Sequence, residues 1–565
     1  MKFKKAISLC LAFLLSSGAT MFTACGGGDN SSSSSGGIIF EDEDNVTQLN
    51  IKIFNGGLGY AWLETIADDF MRTFKDVSFE PNKKGVKVNI TPNKQFTDLH
   101  LNMASGADAE DIYYTATNNL YDFTSLGVAY DVTDIMTAEV YDADGNVKLN
   151  ATGDGWETQE RSLASRISVD YYKESFNLGS EAEPSYFAIP YEDSVSGFVV
   201  DWNLFVEEGW NNYSGLDGMP GTMTEFKDLL RRIQSAGYSA FSYSTHVGYY
   251  TPSIQRAVQA KVDGVDWFYD LFSDYTASYD FNNDGTIGAD EQITPSTMGK
   301  ALDTRGVKAA VEMAEFMFTT STTGSTYYDS NVVQGVSYGG AQQDFVMSKA
   351  SNNRPRIAML LEGEWWENET RATFNSMGRV NAANGYGKRE FRFMPIPKMT
   401  NNDKTEKYTI GSFSSGYITV VNEKTVGDNS AKQRLVELFL QFQYSQKGLK
   451  TFTLANGATL PFEYELTESE LNQLTPFGRS IWHLKHSDDV EIVYDSPMMR
   501  SREVRLGTQL FEYYTRMEGK AGLTDYKGCL FNNYVTFCQE TSKVTVAEYL
   551  QGMHDYYDDK FAQAY

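Results

Sequence analysis

From residue 48 to residue 115 the spacing of the apolar side chains switches between two periods, and that switching limits the folds open to the chain. Residues 48–54 (QLNIKIF) alternate apolar and polar as a half-buried strand does, whereas residues 61–74 repeat Trp62, Ile66, Phe70 and Phe74 at helical spacing. A second strand at 86–90 (VKVNI), a short helix at 96–104 and a third strand at 111–115 (DIYYT) continue the series. Strands alternating with helices predict an α/β fold with a parallel or mixed sheet covered on both faces. In such sheets ligands bind beyond the carboxyl ends of the strands, so the loops at 55–60 and 115–119 are the first places to look for a site.

Further along, two extended runs, 186–190 (YFAIP) and 197–201 (GFVVD), are joined by the polar link 191–194 and read as a crossing between lobes. Thr222 or Thr224 caps a helix that runs to Ala236 and stops at Gly237. Helices at 303–318, 341–347 and 432–443 and strands at 356–361, 391–396 and 417–421 follow, and beyond 471 the pattern is mostly helical.

The amino terminus sets the compartment. Lys2, Lys4 and Lys5 precede an apolar run at 6–15, and small residues then lead to Phe22-Thr23-Ala24-Cys25, the layout of a secretory signal peptide over residues 1–24. That run is too short to span a bilayer, and there is no other stretch of about 20 apolar residues. Thr23-Ala24-Cys25-Gly26 resembles a bacterial lipobox, with Phe22 where Leu is usual, so Cys25 is expected to be the lipidated first residue of the mature chain. Two or three acyl chains, at about 0.8 kcal/mol per buried CH₂, hold a protein stably on a membrane. Residues 25–46, with Ser31 to Ser35 consecutive and Glu41-Asp42-Glu43-Asp44 behind them, form a flexible tether whose reach is roughly 25 Å. Cys10 is lost with the leader, and Cys529 and Cys538 either form one disulfide or stay thiols.

Charge and composition remove other classes. With 75 Asp and Glu against 48 Lys and Arg the net charge is −27, which repels phosphate backbones and argues against a nucleic-acid partner. The 35 Phe and 35 Tyr in 565 residues are enough for large cores in two to four domains. Catalytic signatures are weak. The five histidines (His100, His246, His483, His486, His554) form no HExxH, and the chain has no CxxC pair, GxSxG or phosphate-binding loop. Carboxylates are so abundant that no glycosidase pair stands out.

Two local motifs do carry chemistry. Residues 280–291 (DFNNDGTIGADE) place oxygen donors at Asp280, Asn282 and Asp284, a turn at Gly285, the carbonyl of Thr286, an apolar Ile287 and a bidentate carboxylate at Glu291. This is the spacing of a calcium loop. An entering helix at 265–275 is expected, while Pro295 curtails an exiting one, so the ion is read as a structural clip. Residues 142–146 (DADGN) lack the remaining ligands and read as a hairpin turn. The second motif, residues 362–369 (EGEWWENE), sets Trp365 and Trp366 among carboxylates. An indole can cover a sugar face while Glu364 and its neighbours take hydroxyls. Adjacent side chains diverge on a strand, so at most one of the two tryptophans faces a ligand.

Taken together these segments resemble the extracellular solute-binding proteins of family 1, the maltodextrin-binding type of ABC-importer receptor. The resemblance runs from about Thr47 to Gly457. It rests on Asn102-Met103-Ala104-Ser105-Gly106 before Glu110-Asp111-Ile112, with Glu110 where the family has Pro, and on Tyr186 to Pro190 leading through Gly197 to Phe205. It also rests on Ala358-Met359 leading to Gly363-Glu364-Trp365, and on Pro395-Ile396-Pro397-Lys398 before a return at residues 411–416. The resemblance implies a two-lobed, type II periplasmic-binding-protein-like fold with hinge strands, a ligand cleft between the lobes and a largely helical C-terminal part. Lobe 1 would be 47–191 plus 398–450, and lobe 2 would be 192–397 plus 451–565 with the calcium loop as an insertion. Trp365 would stack on the ligand, and Asn55, Tyr60, Trp62, Thr115, Glu192, Asp193, Glu364, Ser412 and Ser414 would rim the cleft. The implied protein is a monomeric, non-enzymatic receptor, lipid-anchored on the outer face of the cell membrane. It captures a carbohydrate or other small polar solute and delivers it to permease subunits.

Three alternatives make different demands. A secreted calcium-dependent glycoside hydrolase or lyase needs two carboxyl groups about 5–10 Å apart across a deep cleft. A surface adhesin needs no cleft. A peptide receptor needs charged anchors for the termini.

Overall fold

The computed structural model describes residues 45–117, 119–244, 250–318, 326–334, 336–351, 353–412, 417–494, 500–513 and 546–565. Its strands are β1 (Thr47–Phe54), β2 (Val86–Asn93), β3 (Ile112–Tyr114), β4 (Ile189–Pro190), β5 (Val195–Asp201), β6 (Ser239–Ser242), β7 (Ala277–Ser278), β8 (Gln292–Ile293), β9 (Ile357–Gly363), β10 (Phe391–Met394), β11 (Tyr408–Ser412), β12 (Ile418–Val421) and β13 (Val490–Val493). The helices that matter below are α1 (Ala61–Thr73), α2 (Leu120–Ser125), α3 (Asp170–Phe176), α4 (Tyr250–Asp263), α5 (Val265–Asp274), α6 (Gln446–Asn456), α7 (Pro476–Lys485), α8 (Arg502–Tyr513) and α9 (Val546–Ala564). Among the described residues no helix is long and apolar enough to cross a membrane.

The first sheet has the order β2-β1-β3-β12-β4, with β1 parallel to β2 and β3, and β12 antiparallel to both of its neighbours. The alternation read from residues 48–54 is real: Leu49, Ile51 and Ile53 point inward, and Ile51 stands beside Ile90 and Ile112 in register. Leu63, Ile66 and Phe70 of α1 cover them. The second sheet has the order β13-β11-β5-β9-β6, and β10 pairs with the far half of β5. β5 and β9 are buried along their whole length, because helices pack on both of their faces. Phe198, Val200 and Leu361 enter one core, while Val195, Val199 and Leu360 enter another on the opposite side.

Two lobes follow from the two sheets, but the boundaries differ from the sequence expectation at two points. β11 lies in the second sheet, where Gly411 pairs with Ser196, so the return to the first lobe comes at β12 and not at 398. The reason is local: α4 lies across β11 so closely that a Cβ on Gly411 would sit 2.4 Å from the Ser253 carbonyl. Conversely Phe452, Leu460, Phe462, Leu471 and Leu474 belong to the first core, so the chain leaves that lobe near 475 and not at 451. Among the described residues three passages therefore join the lobes, at 191–194, between β11 and β12, and ahead of α7. The helical tail packs on the second lobe through Met553, Tyr557 and Phe561.

Candidate functional site

The strand ends of both sheets face the crossings. On the first lobe these are Asn55 after β1, Thr115 after β3 and Tyr191 after β4; on the second they are Gly363 at the end of β9, Ser412 at the end of β11 and Val195 at the start of β5. Trp365 stands between them. A Cβ on Gly57, in the loop after β1, would lie 2.6 Å from Trp365 Cβ, and a Cβ on Gly363 would lie 2.4 Å from Cζ2 of the same indole. The Tyr250 ring, at the start of α4, is centred 6.2 Å away and tilted by 45°. A loop of one lobe thus touches the turn of the other at an aromatic pair, and Trp365 retains only 8% of its exposure.

Behind this pair lies an acidic network in which Glu362 is buried and Glu369 is exposed. Gln342 Nε2 donates to Glu362 Oε2 at 3.0 Å and to Glu369 Oε2 at 2.7 Å, the Gly363 amide donates to Glu362 Oε1 at 3.0 Å, and the Tyr250 hydroxyl bonds the Glu362 carboxyl. These partners are neutral. Burial, with Glu369 nearby, pushes the Glu362 pKa well above the ordinary carboxylate value. Glu367 is likewise lifted by burial to about 7, although Thr475 Oγ1 donates to it at 2.7 Å. Burial thus favours the protonated form of Glu362 and Glu367, in which a carboxyl can act as a donor.

The crossing itself is pinned by Lys485, at the end of α7. Its Nζ donates to the Asp193 carbonyl and to Thr459 Oγ1 at 2.8 Å, and lies 3.0 Å from Glu364 Oε2. Glu364 also accepts from the Val195 amide at 3.1 Å. Burial raises the Glu364 pKa and Lys485 opposes the rise. One cation thereby ties the 191–194 passage to the turn after β9 and to the segment leaving the first lobe.

On the far side of the crossings, beyond the β13 edge, a crevice of ≈ 1240 Å³ opens between α3 and α5. Tyr171 stacks on Tyr494 there at 5.4 Å and 7°, with Tyr269 5.3 Å from Tyr171.

The 280–291 loop projects from the second lobe between β7 and β8, where Ala277 pairs with Ile293. Asp280 Oδ1 and Oδ2 accept from the amides of Asp284 (3.1 Å) and Gly285 (2.9 Å), and Glu291 accepts from those of Phe281 (2.9 Å) and Gly288 (2.8 Å). Among the described residues no three His, Cys, Asp or Glu side chains gather as a metal-binding group. The donor types nonetheless suit a hard cation, and the bond from Phe281 to Glu291 brings the two ends of the loop together. Residues 142–146 form a tight turn, as read, with the Asn146 amide on Asp142 Oδ1 at 2.8 Å.

No family model matches the chain, and no curated protein matches it. Solved structures do. A probable secreted solute-binding lipoprotein from Streptomyces coelicolor superposes with a TM-score of 0.54 at 12% identity, covering 90% of this chain and 98% of that one. The SBP RafE in complex with raffinose gives 0.52 at 12% identity, covering 91% and 99%. A chitin oligosaccharide binding protein gives 0.51 at 12% identity, covering 92% and 100%. The chain has the two-lobed solute-binding-protein fold. Within that fold the junction around Trp365 is where the strand ends of the two lobes meet.

The residues expected to rim a cleft separate into groups. Trp365 lies at the junction, and Asn55 and Tyr60 lie beside it on the loop of the first lobe, partly exposed, the Asn55 amide donating to the Asn93 carbonyl at 2.8 Å. Trp62 does not reach the junction. It is packed edge-on against Phe452 at 5.0 Å and Tyr114 at 5.9 Å, as helical spacing on α1 requires. Thr115 is also inside, its Oγ1 donating to the Ile418 carbonyl at 3.1 Å. Glu192, Asp193 and Glu364 are buried at the crossing: Ser194 Oγ donates to the Glu192 carboxylate, while Asp193 and Glu364 surround Lys485. Ser412 is buried opposite Val195. Ser414, Cys25, Cys529 and Cys538 lie outside the described residues. The sequence reading missed Tyr250, Gln342 and Lys485, which no motif marks, while Glu369 stands in the 362–369 motif without a role assigned to it.

Proposed function

We propose that the protein is the solute-capturing receptor of an ABC importer, held on the outer face of the cell membrane by a lipid on Cys25, and that its solute is a carbohydrate. The observation that carries this reading is the meeting of two α/β lobes, strand end to strand end, at the aromatic pair Trp365 and Tyr250. Flat aromatic faces suit the apolar faces of sugar rings, and the neighbouring protonated carboxyls and amide suit hydroxyls. That fold neighbours are described as binding raffinose and chitin oligosaccharide supports the sugar class. Rotation about the crossings opens and closes the junction, and a solute shifts that balance only as far as it binds the closed form better. Nothing in this mode breaks a bond in the guest. Glu362, which is buried, and Glu369, which is exposed, share one glutamine amide, a poor arrangement for the rival acid and nucleophile pair of a hydrolase.

The test is calorimetry of the mature protein against raffinose, chitin oligosaccharides and monosaccharides. Saturable binding that Trp365→Ala weakens at least tenfold, with the sugar recovered intact, is the expected result; release of new reducing ends would favour the hydrolase. The lipid on Cys25 is checked by metabolic labelling with a fatty acid, which Cys25→Ser should abolish.

Calcium in the 280–291 loop belongs to the same proposal, as a clip. Asp280, Asn282, Asp284, the Thr286 carbonyl and Glu291 would hold the ion, which would neutralise their mutual repulsion. Chelation should then lower the thermal midpoint of the wild type, and Glu291→Gln should erase that response.

A further inference from the structure

The C-terminal helices add a contact between the lobes that lies outside the chain crossings. α9 is fixed in the second lobe: Met553, Tyr557 and Phe561 are core residues, and the Gly299 amide donates to Asp558 Oδ1 at 2.7 Å. α8 rests on the same lobe, where a Cβ on Gly507 marks a 2.0 Å approach to the Tyr275 ring and the Tyr275 hydroxyl donates to the Val504 carbonyl at 3.4 Å. The basic side chains at the start of this tail nevertheless reach the other lobe. Arg505 Nε lies 3.3 Å from Asp122 Oδ1 on α2, and Arg500 Nη1 donates to the Glu174 carbonyl on α3 at 3.2 Å. Asp122 is also faced by the Asn119 side-chain amide and by His100 Nε2 at 3.8 Å. α2 starts directly after the loop leaving β3, so this contact sits at the end of the first sheet that faces the second lobe.

We propose that α8 is an electrostatic latch, carried rigidly by the second lobe and closed on Asp122 of the first, which biases the molecule toward the drawn-together arrangement before any solute arrives. The pair is partly sheltered, with Arg505 33% and Asp122 13% exposed, so salt weakens it without abolishing it at once. Ion pairs of this exposure shift a two-state ratio by up to about fivefold. Apparent solute affinity then depends on ionic strength even for an uncharged guest, because the latch changes the fraction of molecules already closed. This follows from geometry remote from Trp365 and does not rest on which solute is captured.

The measurement is small-angle scattering of the full, ligand-free mature protein between about 0.02 and about 0.5 M NaCl, salts that take the screening length from about 20 Å to about 4 Å. The wild type should expand as salt rises. Arg505→Ala and Asp122→Asn should be expanded already at low salt and insensitive to its increase, and the charge swap Asp122→Arg with Arg505→Asp should restore the wild-type response. A wild-type radius that ignores salt, or single variants that scatter as the wild type does at low salt, would overturn the latch. Thermal unfolding of each variant separates loss of the latch from loss of the fold, and the wild-type salt series stands without any variant. Failure to bind any sugar would leave this result untouched, just as a missing latch would leave sugar binding untouched.

Discussion

The second sheet buries carboxylates at both of its ends and treats them in opposite ways. At the end remote from the crossings, Asp201 closes β5 and takes hydrogen bonds from both Arg356 and Arg389 at 2.6 Å, with the Leu204 amide at 3.3 Å. Burial pushes its carboxyl up, but the two guanidiniums outweigh that and hold it below the usual range. At the end beside the crossings, Glu362 closes β9, faces Glu369 across a single neutral amide and is held above the usual range. The antiparallel register of β5 with β9 is what puts these clusters at opposite ends. A compensated charge is what a scaffold needs. Uncompensated acids survive where a site uses their protons, so the contrast marks the junction end as the working end.

The largest effect should come from breaking the compensated cluster. Asp201→Ala leaves two buried guanidiniums facing each other and is expected to cost about 3–5 kcal/mol in urea unfolding, whereas Glu362→Gln keeps the shape and removes an acid, so it should be neutral or stabilising at pH 8. The next effect is on pH. Glu367, which is buried, has a folded pKa of about 7, above the unfolded value near about 4.3, so the folded state keeps a proton that the unfolded state has lost. Stability should therefore be greatest below about pH 4.5, as far as this group decides it, and fall as pH rises to about 7, by on the order of 3 kcal/mol. Glu367→Gln should flatten that slope in unfolding curves taken at pH 5 and pH 8. A slope of the same size in the variant would put the origin elsewhere.

How much of this the sequence disclosed follows from how local each feature is. The alternation at 48–54, the Thr222 cap (its Oγ1 accepts from the Glu225 amide at 3.2 Å) and the crossing at 191–194 are set by neighbours in the chain, and all stand in the structure. Of the two adjacent tryptophans, one does go inward: Trp366 is enclosed by Phe345, Phe374, Phe391 and Phe477, and Trp365 is left at the junction. β13 was hidden because four residues, Val490–Val493, sit among helices and acquire strand character only by pairing with β11. Lys485 reads as one more surface charge in an acidic chain, and only the folding of α7 against the crossing reveals its carboxylate and carbonyl partners. The glutamine that bridges Glu362 and Glu369 was invisible for the same reason: Gln342 and Glu362 are 20 positions apart and meet through tertiary packing.

The smallest expected effect gives the sharpest test of which end works. Gly57 has no fixed conformational demand of its own, since its backbone is not in the left-handed region; what excludes a side chain there is Trp365, whose Cβ would lie 2.6 Å from an added Cβ. Gly57 and Trp365 belong to different lobes, so the clash exists only while the lobes are together. Gly57→Ala should leave the unfolding midpoint within about 2 °C of wild type, because the loop stays folded on its own lobe. It should still weaken solute binding several-fold by charging the closed state for the collision. The matching change on the same lobe as the tryptophan, Gly363→Ala, collides in both states and should lower the midpoint instead. If Gly57→Ala proved as destabilising as Gly363→Ala, the contact at Trp365 would be a permanent part of the core, and the acids behind it would be buried without a use.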